Sequence, residues 1–454
     1  MEGDGKEEDK VPQEHRIAKA AGRWNANGDF GREARGTAAG LSGATCEHYK
    51  LLLDDAEALE LFTHAAYLLV AAHVPASVAA ALGLSRFTAL RKPGGGVRGI
   101  ATGDTFRRLV SRSLARMFAD TFDEATRPYQ FALQTRAGTD ALSGMLRAAV
   151  DLDSAATIVS LDGRSAYDTI SRTAFLRKLH AVAPALIPFV RLWYGQQSTY
   201  FWWDQDGQRR TIHQGEGCEQ GDALAPALYA LGQHDALVAA DEQLRPGECL
   251  AAFLDDVYLV TTPSRAREAL DVVTSSIETR AGVTANLGKT RVYNRDGGPA
   301  PPGIAELGAN VWRGDAPEAE RGFVALGTPL GHPRFVAAHT DTRLLDEVRL
   351  LQELPLLPDL QCAWLLLAMC ASPRADHLLR TLPPSLSASY ARGHDDAVWR
   401  CLLALLGEED DADPEVAAAR RLAPLRTALR AAWQQLCFAE PRSRNTTSGA
   451  ANPA

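Results

Sequence analysis

Two adjacent acids, Asp255 and Asp256, are suited by type and spacing to metal chemistry. Apolar runs flank them, Cys249 to Phe253 before and Val257 to Val260 after, which predicts a β-hairpin with the acids at its tip. Two carboxylates about 4 Å apart repel by roughly 4 kcal/mol at an effective dielectric near 20. A divalent cation removes this repulsion, and hard oxygen ligands favour Mg²⁺. On this stretch alone, an Asp-Asp turn in a solvated hairpin is the simpler interpretation, because turns favour Asp.

A third acid, Asp162, ends a predicted buried strand, Ala156 to Leu161, and precedes a loop that carries Tyr167 and Asp168. An acid between a buried strand and the start of a helix is well placed to hold a catalytic metal. We therefore expect Asp162, Asp255 and Asp256 to converge on one site. Lys289 lies on a loop before another predicted strand, and its alternative interpretation is an ordinary surface lysine.

Positive charge is concentrated upstream of these acids. The segment Arg91 to Arg98 predicts a glycine-tipped hairpin with cations on both arms, where the backbone can approach a phosphate. Asp104 is placed to cap the next predicted helix. One face of that helix carries arginines at four-residue spacing, Arg108, Arg112 and Arg116, and Arg107 lies beside them. Each feature alone is compatible with a solvated surface, but together they favour phosphate binding.

A glycine-containing loop, Gln214 to Pro226, precedes a predicted helix from about Asp222 to Gln243. The loop includes Gln220 and Gly221, and its glycines predict mobility. Before it, a hairpin is predicted around Asp206-Gly207.

The net charge of −8 is unevenly distributed. Met1 to Lys10 contains five acids and two lysines, and Glu408 to Glu415 contains six acids and no base. These segments sum to −9, so the rest of the chain is close to neutral. The acidic balance therefore does not exclude nucleic-acid binding, and local patches decide.

The seven cysteines show no close pair and no metal spacing, which favours reduced thiols in an intracellular protein, in the nucleus or cytoplasm. The polar, acidic N-terminus is not typical of a secretory signal. The longest apolar runs, Leu61 to Val74 and Leu360 to Ala371, are too short to span a bilayer.

The order of these features resembles the reverse transcriptase family, most closely the non-LTR retrotransposon type. Phe253 to Asp256 resembles its aromatic-x-Asp-Asp box, and Asp162 to Asp168 resembles its Asp-x-x-x-Ala-Tyr/Phe-Asp box. Gln220 to Pro226 resembles Gln-Gly-Asp-Pro-Leu-Ser-Pro, with Ala223 and Ala225 as departures that affect packing. Each box alone is weak evidence for the family. The complete set in this order, from about Phe87 to Gly331, is specific for it.

The resemblance implies an α+β right-hand polymerase with fingers, a palm that has a small antiparallel sheet backed by helices, and a helical thumb. The expected organisation is a disordered tail over 1–42, helices over 43–86, fingers and palm over 87–335, a helical thumb-like region over 336–440 and a disordered tail over 441–454. We find no endonuclease pattern before the polymerase boxes and no RNase H pattern after them, which is compatible with a fragment or a decayed copy of an element.

The implied function is RNA-directed DNA synthesis from an RNA template, a DNA primer and dNTPs, without a membrane. By resemblance, Asp162, Asp255 and Asp256 would bind two Mg²⁺ ions, or Mn²⁺. The triphosphate would be bound by Arg98 with Arg91 or Lys92, and Lys289 would protonate the pyrophosphate. Gln220 and Gly221 would contact the new base pair, and Tyr167 would contact the sugar. The rivals are an RNA-dependent RNA polymerase and a catalytically idle RNA-binding protein. The sequence does not indicate an oligomeric state.

Overall fold

The computed structural model describes residues 38–92, 95–133 and 136–407. These residues form helices and small, mostly antiparallel sheets, as expected for an α+β chain. The predicted tail over 441–454 and most of the tail over 1–42 lie outside the described residues, as does the acidic segment Glu408 to Glu415.

The strands, numbered in chain order, are β1 (Ser85–Arg91), β2 (Val97–Thr102), β3 (Thr157–Leu161), β4 (Ser198–Trp203), β5 (Arg209–Gln214), β6 (Cys249–Phe253), β7 (Asp256–Thr261), β8 (Arg291–Tyr293), β9 (Gly322–Ala325) and β10 (Thr328–Gly331). The α-helices are α1 (Cys46–Lys50), α2 (Ala56–Val70), α3 (Ala76–Gly83), α4 (Thr105–Met117), α5 (Ala119–Thr126), α6 (Gly138–Leu152), α7 (Ala166–Thr169), α8 (Arg172–Val182), α9 (Ile187–Tyr194), α10 (Ala225–Asp241), α11 (Ala266–Ala281), α12 (Pro333–Glu353), α13 (Leu360–Leu366), α14 (Asp376–Thr381) and α15 (Pro384–Leu406). Short 3₁₀ turns lie between several of these elements, and a π turn covers Leu367–Ala371.

The chain divides into two compact units. Unit 1 comprises Met1–Gly138, Ile158–Arg291 and Pro301–Val311. Unit 2 comprises Thr139–Thr157, Val292–Ala300 and Trp312–Ala454. The candidate site residues all belong to unit 1. The predicted domain bounds at 86/87 and 335/336 stay predictions.

One sheet of unit 1 contains the β6–β7 hairpin, with β3 beside β7. The two hairpin strands pair antiparallel from Cys249↔Val260 to Phe253↔Asp256. Both read as nearly continuous apolar runs, and most of their residues are buried, which is typical of strands covered on both faces. The hairpin is confirmed, and it carries the adjacent acids out of the core.

The second sheet of unit 1 has the order β2-β1-β4-β5. Its β1–β2 hairpin is the predicted basic one, with Arg91 opposite Val97 and Leu90 opposite Arg98. Lys92 donates its backbone N–H to the carbonyl of Gly96 at 3.1 Å, which closes the arms. The tip residues Pro93 and Gly94 lie outside the described residues.

Helix α10 packs against both α8 and α11, and α10 and α11 contact the β6–β7 hairpin. Helix α10 is buried on almost every side because Ala and Leu recur through it. It begins at Ala225 rather than at Asp222, whose carboxylate instead accepts the backbone N–H of Leu224 at 3.1 Å. Helix α4 starts after Asp104, whose side chain accepts the N–H of Phe106 at 2.9 Å, which confirms the predicted cap.

Unit 2 is built largely from α12 and the helices that follow it. From Thr342 to Gly407 the chain contains helices and turns and no strand, as predicted. In its core, Glu347 accepts hydrogen bonds from Tyr390 at 2.9 Å and from Nδ1 of His394 at 2.9 Å. Burial raises the pKa of Glu347, but these bonds outweigh it and leave the pKa below its ordinary value. No helix in the described part of the chain combines the length and apolar character that a bilayer span requires.

Candidate active site

The loop after β3 holds Asp162 against Asn286 and Lys289. The backbone N–H of Asn286 donates to the Asp162 carbonyl at 2.8 Å, and its Nδ2 donates to Oδ2 at 3.0 Å. Nζ of Lys289 lies 3.1 Å from each carboxylate oxygen. Asn286 therefore fixes the carboxylate, while the Lys289 side chain, 60% exposed, neutralises it and has room to rotate away.

The turn between β6 and β7 gives the adjacent acids different backbone positions. Leu254 and Asp255 form the turn, whereas Asp256 is the first residue of β7 and pairs with Phe253. Asp255 thus lies in the turn, and Asp256 closes it at the tip of the hairpin. Leu254 has φ 56°, a left-handed conformation that costs a non-glycine residue roughly 1 kcal/mol.

Gln130 supports this strained turn, and sequence reasoning missed it. Its Oε1 accepts the backbone N–H of Leu254 at 2.7 Å, and the Gln130 side chain is buried. The neighbouring backbone runs along β6: the N–H of Phe131 donates to the Ala252 carbonyl at 2.9 Å, and that of Ala252 to the Tyr129 carbonyl at 2.8 Å. The backbone hydrogen bonds to β6 thus fix the position of Gln130, which in turn supports the turn at Leu254.

The three predicted acids lie within electrostatic reach of one another. Burial, then the charges of Asp255 and Asp162, raises the pKa of Asp256 to about 6. Burial and Asp162 also raise the pKa of Asp255, against a backbone hydrogen bond and the charges of Lys289 and Arg98. Asp162 and Asp255 line the same cavity. Asp162 and Asp255 therefore lie beside one cavity, and the convergence of all three acids on one metal site stays a prediction.

These residues fit a divalent cation by donor type and by their repulsion, which a cation would relieve. The ligand shell is not closed: among the described ranges, no three His, Cys, Asp or Glu side chains are grouped closely enough to hold a metal ion as they stand. The Lys289 ammonium adds a positive charge beside Asp162.

Replacing Asp256 by Asn is expected to stabilise the fold by about 1 kcal/mol at about pH 8, because one pKa unit corresponds to about 1.4 kcal/mol and solvent screens part of it. The folded-state pKa of about 6 lies above the ordinary value of 3.8. The contribution of Asp256 to the free energy of unfolding therefore becomes more favourable as the pH falls through about 6 towards 4. A salt-bridged acid, whose folded-state pKa is lowered, shows the opposite dependence. Urea unfolding without divalent cations, at about pH 8 and about pH 5, measures this; a variant less stable than wild type at the higher pH would contradict it.

The predicted triphosphate cations lie on or beside the β1–β2 hairpin. The charge of Arg98, on β2, acts on Asp255, and that of Lys92 acts on Asp168. Arg91 ends β1 and is exposed. The hairpin therefore directs two of its three predicted cations towards acids of the candidate site.

The loop with Gln220 and Gly221 is bound to β2. The Gln220 carbonyl accepts the N–H of Ala101 at 3.2 Å. Gly221 has φ 139°, and a Cβ added there would lie 2.5 Å from the Ala101 carbonyl oxygen. Only glycine permits this approach. The close contact with β2 therefore explains why glycine is required at position 221, which the resemblance had singled out.

Replacing Gly221 by Ala is expected to destabilise unit 1 by about 1–3 kcal/mol, because the new Cβ meets backbone rather than a flexible side chain. The control is Gly215→Ala in the same loop, where a Cβ has nothing within 4 Å. Urea unfolding compares the two. Equal stabilities would show that the loop moves away from β2 at no cost.

Tyr167 lies in the short helix α7, which precedes α8. Its ring stacks on that of Tyr229, with centroids 4.9 Å apart and planes at 13°, and its carbonyl accepts the N–H of Cys218 at 2.8 Å. Burial raises the pKa of Tyr167 well above its ordinary value. The ring is thus held in a fixed position beside the loop.

Asp168 follows Tyr167 in helix α7. Loss of hydration raises its pKa, although a side-chain hydrogen bond from Gln220 and the charge of Lys92 lower it in part. The residue therefore connects α7 to both the Gln220 loop and the basic hairpin.

Arg107 is not part of an exposed arginine stripe. It is buried, with Nη2 3.0 Å from Glu219 and 3.6 Å from Asp222, and its guanidinium lies 4.4 Å from the ring centroid of Trp193. Burial lowers its pKa, but the two carboxylates outweigh this and raise it overall. This ion pair, which sequence reasoning missed, anchors the Gln220 loop from beneath. Phosphate binding by Arg108, Arg112 and Arg116 stays a prediction.

A family model described as "Reverse transcriptase (RNA-dependent DNA polymerase)" matches residues 90–329. The chain is 26% identical over 402 residues to the retrotransposable element SLACS 132 kDa protein of Trypanosoma brucei gambiense, covering 87% of this chain and 32% of that protein. It thus spans about a third of that relative.

Two telomerase structures are also similar. That of Candida albicans, in complex with a TWJ fragment of telomeric RNA, is 12% identical with a TM-score of 0.40 and covers 80% of this chain and 66% of that one. Apo telomerase of Candida tropicalis is 11% identical with a TM-score of 0.39, over 77% and 62%. The family match extends over more than half of the chain and includes the Asp162, Gln220 and Asp255 segments. The chain therefore belongs to the reverse transcriptase (RNA-dependent DNA polymerase) family.

Proposed function

We propose that this chain extends a DNA primer on an RNA template with dNTPs by two-metal nucleotidyl transfer. The observation that carries the proposal is the electrostatic coupling of three acids: the charge of Asp162 helps to raise the pKa of Asp255, and the charges of both help to raise that of Asp256. The charges of Arg98 and Lys289 act on Asp255 in the opposite direction. The family match over residues 90–329 supports the reaction class.

Asp162, Asp255 and Asp256 would hold two Mg²⁺ ions, with Mn²⁺ as a substitute. When bound, such ions activate the primer 3′-hydroxyl and neutralise the leaving group. The chain's own contribution is to keep the carboxylates together in a partly buried position. Asn286 and the β6–β7 pairing do this for Asp162 and Asp256.

The other site residues would position the nucleotide. Arg98, with Arg91 or Lys92, offsets the triphosphate charge. Gln220 and Gly221 contact the new base pair, and their attachment to β2 links that contact to the basic hairpin. Tyr167 contacts the sugar.

Lys289 would supply a proton to the departing pyrophosphate. Its ammonium already lies 3.1 Å from the Asp162 oxygens, which places a proton donor beside the acids. A role as counter-ion for Asp162 uses the same geometry. Lys289→Arg separates the two, because it keeps the charge but does not release a proton.

We assign the basic hairpin and the β2-β1-β4-β5 sheet to the fingers, the β6–β7 hairpin with β3 and its helices to the palm, and the helices after residue 335 to the thumb. This assignment rests on the chain order of the boxes and on the sheets of unit 1.

Replacing Gln130 by Met, of similar volume, is expected to lower kcat about 10- to 100-fold and to change KM for dNTPs less than about twofold. The Leu254 N–H loses its acceptor, and a small displacement of a catalytic group has an effect of this size. Gln243→Met is the control, because the Gln243 side chain donates to the Ala239 carbonyl at 2.7 Å, away from the site. Equal kcat in both variants would contradict a positioning role for Gln130.

The test of the proposed function is primer extension by the purified chain, with a labelled DNA primer on an RNA template, the four dNTPs and Mg²⁺. Extension that stops on chelation and needs the template is the expected result. A folded protein that binds the primer-template but never extends it would favour the idle RNA-binding alternative.

A further inference from the structure

Helix α13 and the π turn after it are apolar on all sides but buried on only one. From Leu360 to Ser372 the sequence contains no charged residue. The buried residues of this segment recur every four positions: Ala363, Leu367 and Ala371. The large apolar side chains around them are exposed, together with one in the preceding turn: Leu356, Leu360, Trp364, Leu365, Leu366 and Met369. We call these six residues the open apolar surface.

The open apolar surface is typical of a site that another element covers. Met369 is 72% exposed, Leu360 58% and Trp364 50%. A helix that is apolar all round is normally buried all round, and adjacent exposed apolar side chains mark interaction sites. Nucleic acid is a poor occupant, because Leu354 to Pro373 contains one charged residue, Asp359, and no cation to contact a phosphate.

The same chain contains a segment of matching chemistry. Val416 to Leu436 lies outside the described residues, and its sequence predicts a helix. Large apolar residues recur there at spacings of three or four and form one stripe: Leu425, Leu429, Trp433 and Leu436. They follow Pro424, a residue type favoured in the first turn of a helix. A stripe of this kind needs an apolar surface to bury against.

Charge favours the same pairing. Val416 to Ala439 contains no acid and four arginines: Arg420, Arg421, Arg426 and Arg430. The border of the open apolar surface carries two exposed acids, Glu353 at the end of α12 and Asp359 at the start of α13. The segment and the surface are therefore complementary in charge as well as in apolar character.

The described structure ends beside this surface. Helix α15 contacts α13 and the π turn, and its residue Cys401 shares a buried cluster with Leu354 and Leu367. Eight residues, 408–415, separate Gly407 from Val416, and eight extended residues span up to about 26 Å. The twelve residues from Leu360 to Ala371 would extend over about 18 Å as a helix. The connection is thus long enough to reach any part of the surface.

We propose that the segment from Leu425 to Leu436 docks on the open apolar surface of its own chain. Its stripe packs against α13, and its arginines lie towards Glu353 and Asp359. The docked segment completes the core of unit 2, and this contact does not depend on the proposed reaction. A second copy of the chain is the rival occupant, which the experiment below distinguishes.

Native cysteines report this contact in the full chain. Cys362 and Cys370 are exposed in and beside α13, and Cys437 directly follows Leu436. A short bismaleimide reagent, followed by digestion and mass spectrometry, is expected to join Cys437 to Cys362 or Cys370 within one molecule. Crosslinks between two molecules would show that a second copy covers the surface, and would overturn the proposal.

Variants on both partners show whether apolar docking causes the crosslink. Leu429→Glu is expected to lower its yield about tenfold, because the docked position would bury a charge. Trp364→Glu should have the same effect from the other side, and this exposed side chain can be replaced without disturbing the core. Both variants are compared with wild type at equal reagent and protein concentrations.

The matched control is Thr427→Glu, which adds the same charge two positions before Leu429, on the opposite side of the predicted helix. Its crosslink yield should stay within about twofold of wild type. Equal yields in Leu429→Glu and Thr427→Glu would show that the short connection alone brings the cysteines together. That result, or a wild-type chain without the crosslink, would contradict docking.

Discussion

Replacing Asp255 by Asn is expected to lower primer extension by about 1,000-fold or more while leaving the fold intact. A carboxylate on a catalytic metal contributes several kcal/mol to transition-state stabilisation, and each 1.4 kcal/mol is about tenfold in rate. Asn has the same shape, and the hydrogen bond from Leu254 to Gln130 does not involve the replaced group. Removal of one charge also relieves the repulsion that raises the pKa of its neighbour Asp256.

The control for this variant is Asp206→Asn, in the turn between β4 and β5. It removes one hairpin-turn carboxylate elsewhere in unit 1 and should leave extension within about twofold of wild type. Urea unfolding confirms that both variants fold. Extension by a folded Asp255→Asn protein at a rate close to that of wild type would remove Asp255 from the metal site.

Replacing Tyr167 by Val is expected to admit rNTPs and to reduce the preference for dNTPs about 100-fold, the size typical of discrimination by shape. The Tyr167 ring is stacked on Tyr229 and half-buried, so it cannot easily move aside for a 2′-hydroxyl. The alternative is that this stacking is core packing alone. Single-nucleotide incorporation, as kcat/KM for matched dNTP and rNTP pairs, measures the preference.

Tyr229→Phe is the matched control for Tyr167. It keeps the stacked ring and removes a hydroxyl that is buried without a hydrogen-bond partner in the described structure. Its dNTP preference should equal that of wild type. A Tyr167→Val protein that still excludes rNTPs as strongly as wild type would assign the ring to packing.

Local pattern predicted the elements of the site well. Apolar runs located β3, β6 and β7, and Asp104 marked the start of α4. These features depend on residues that are adjacent in sequence. The basic hairpin was predicted in the same way, because consecutive glycines between two short strands favour a tight turn.

Tertiary contacts account for the errors. The turn at Leu254 depends on Gln130, which is 124 residues away, so no local pattern could reveal this support. Arg107 looks like a surface arginine, and its burial is explained by partners far away in sequence, Glu219 and Asp222. The steric need for Gly221 comes from the Ala101 carbonyl, so the family resemblance identified the residue but could not supply the reason.

The most direct measurement of the central claim is the chemistry of the product when both sets of nucleotides are offered together. The purified chain would receive a primed RNA template, equal dNTPs and rNTPs, and Mg²⁺, and the extended primer would then be treated with alkali and sequenced. RNA-directed DNA synthesis predicts an alkali-resistant extension that is complementary to the template and absent from Asp255→Asn. An alkali-labile extension would identify an RNA polymerase instead, and the account given for Tyr167 would be wrong.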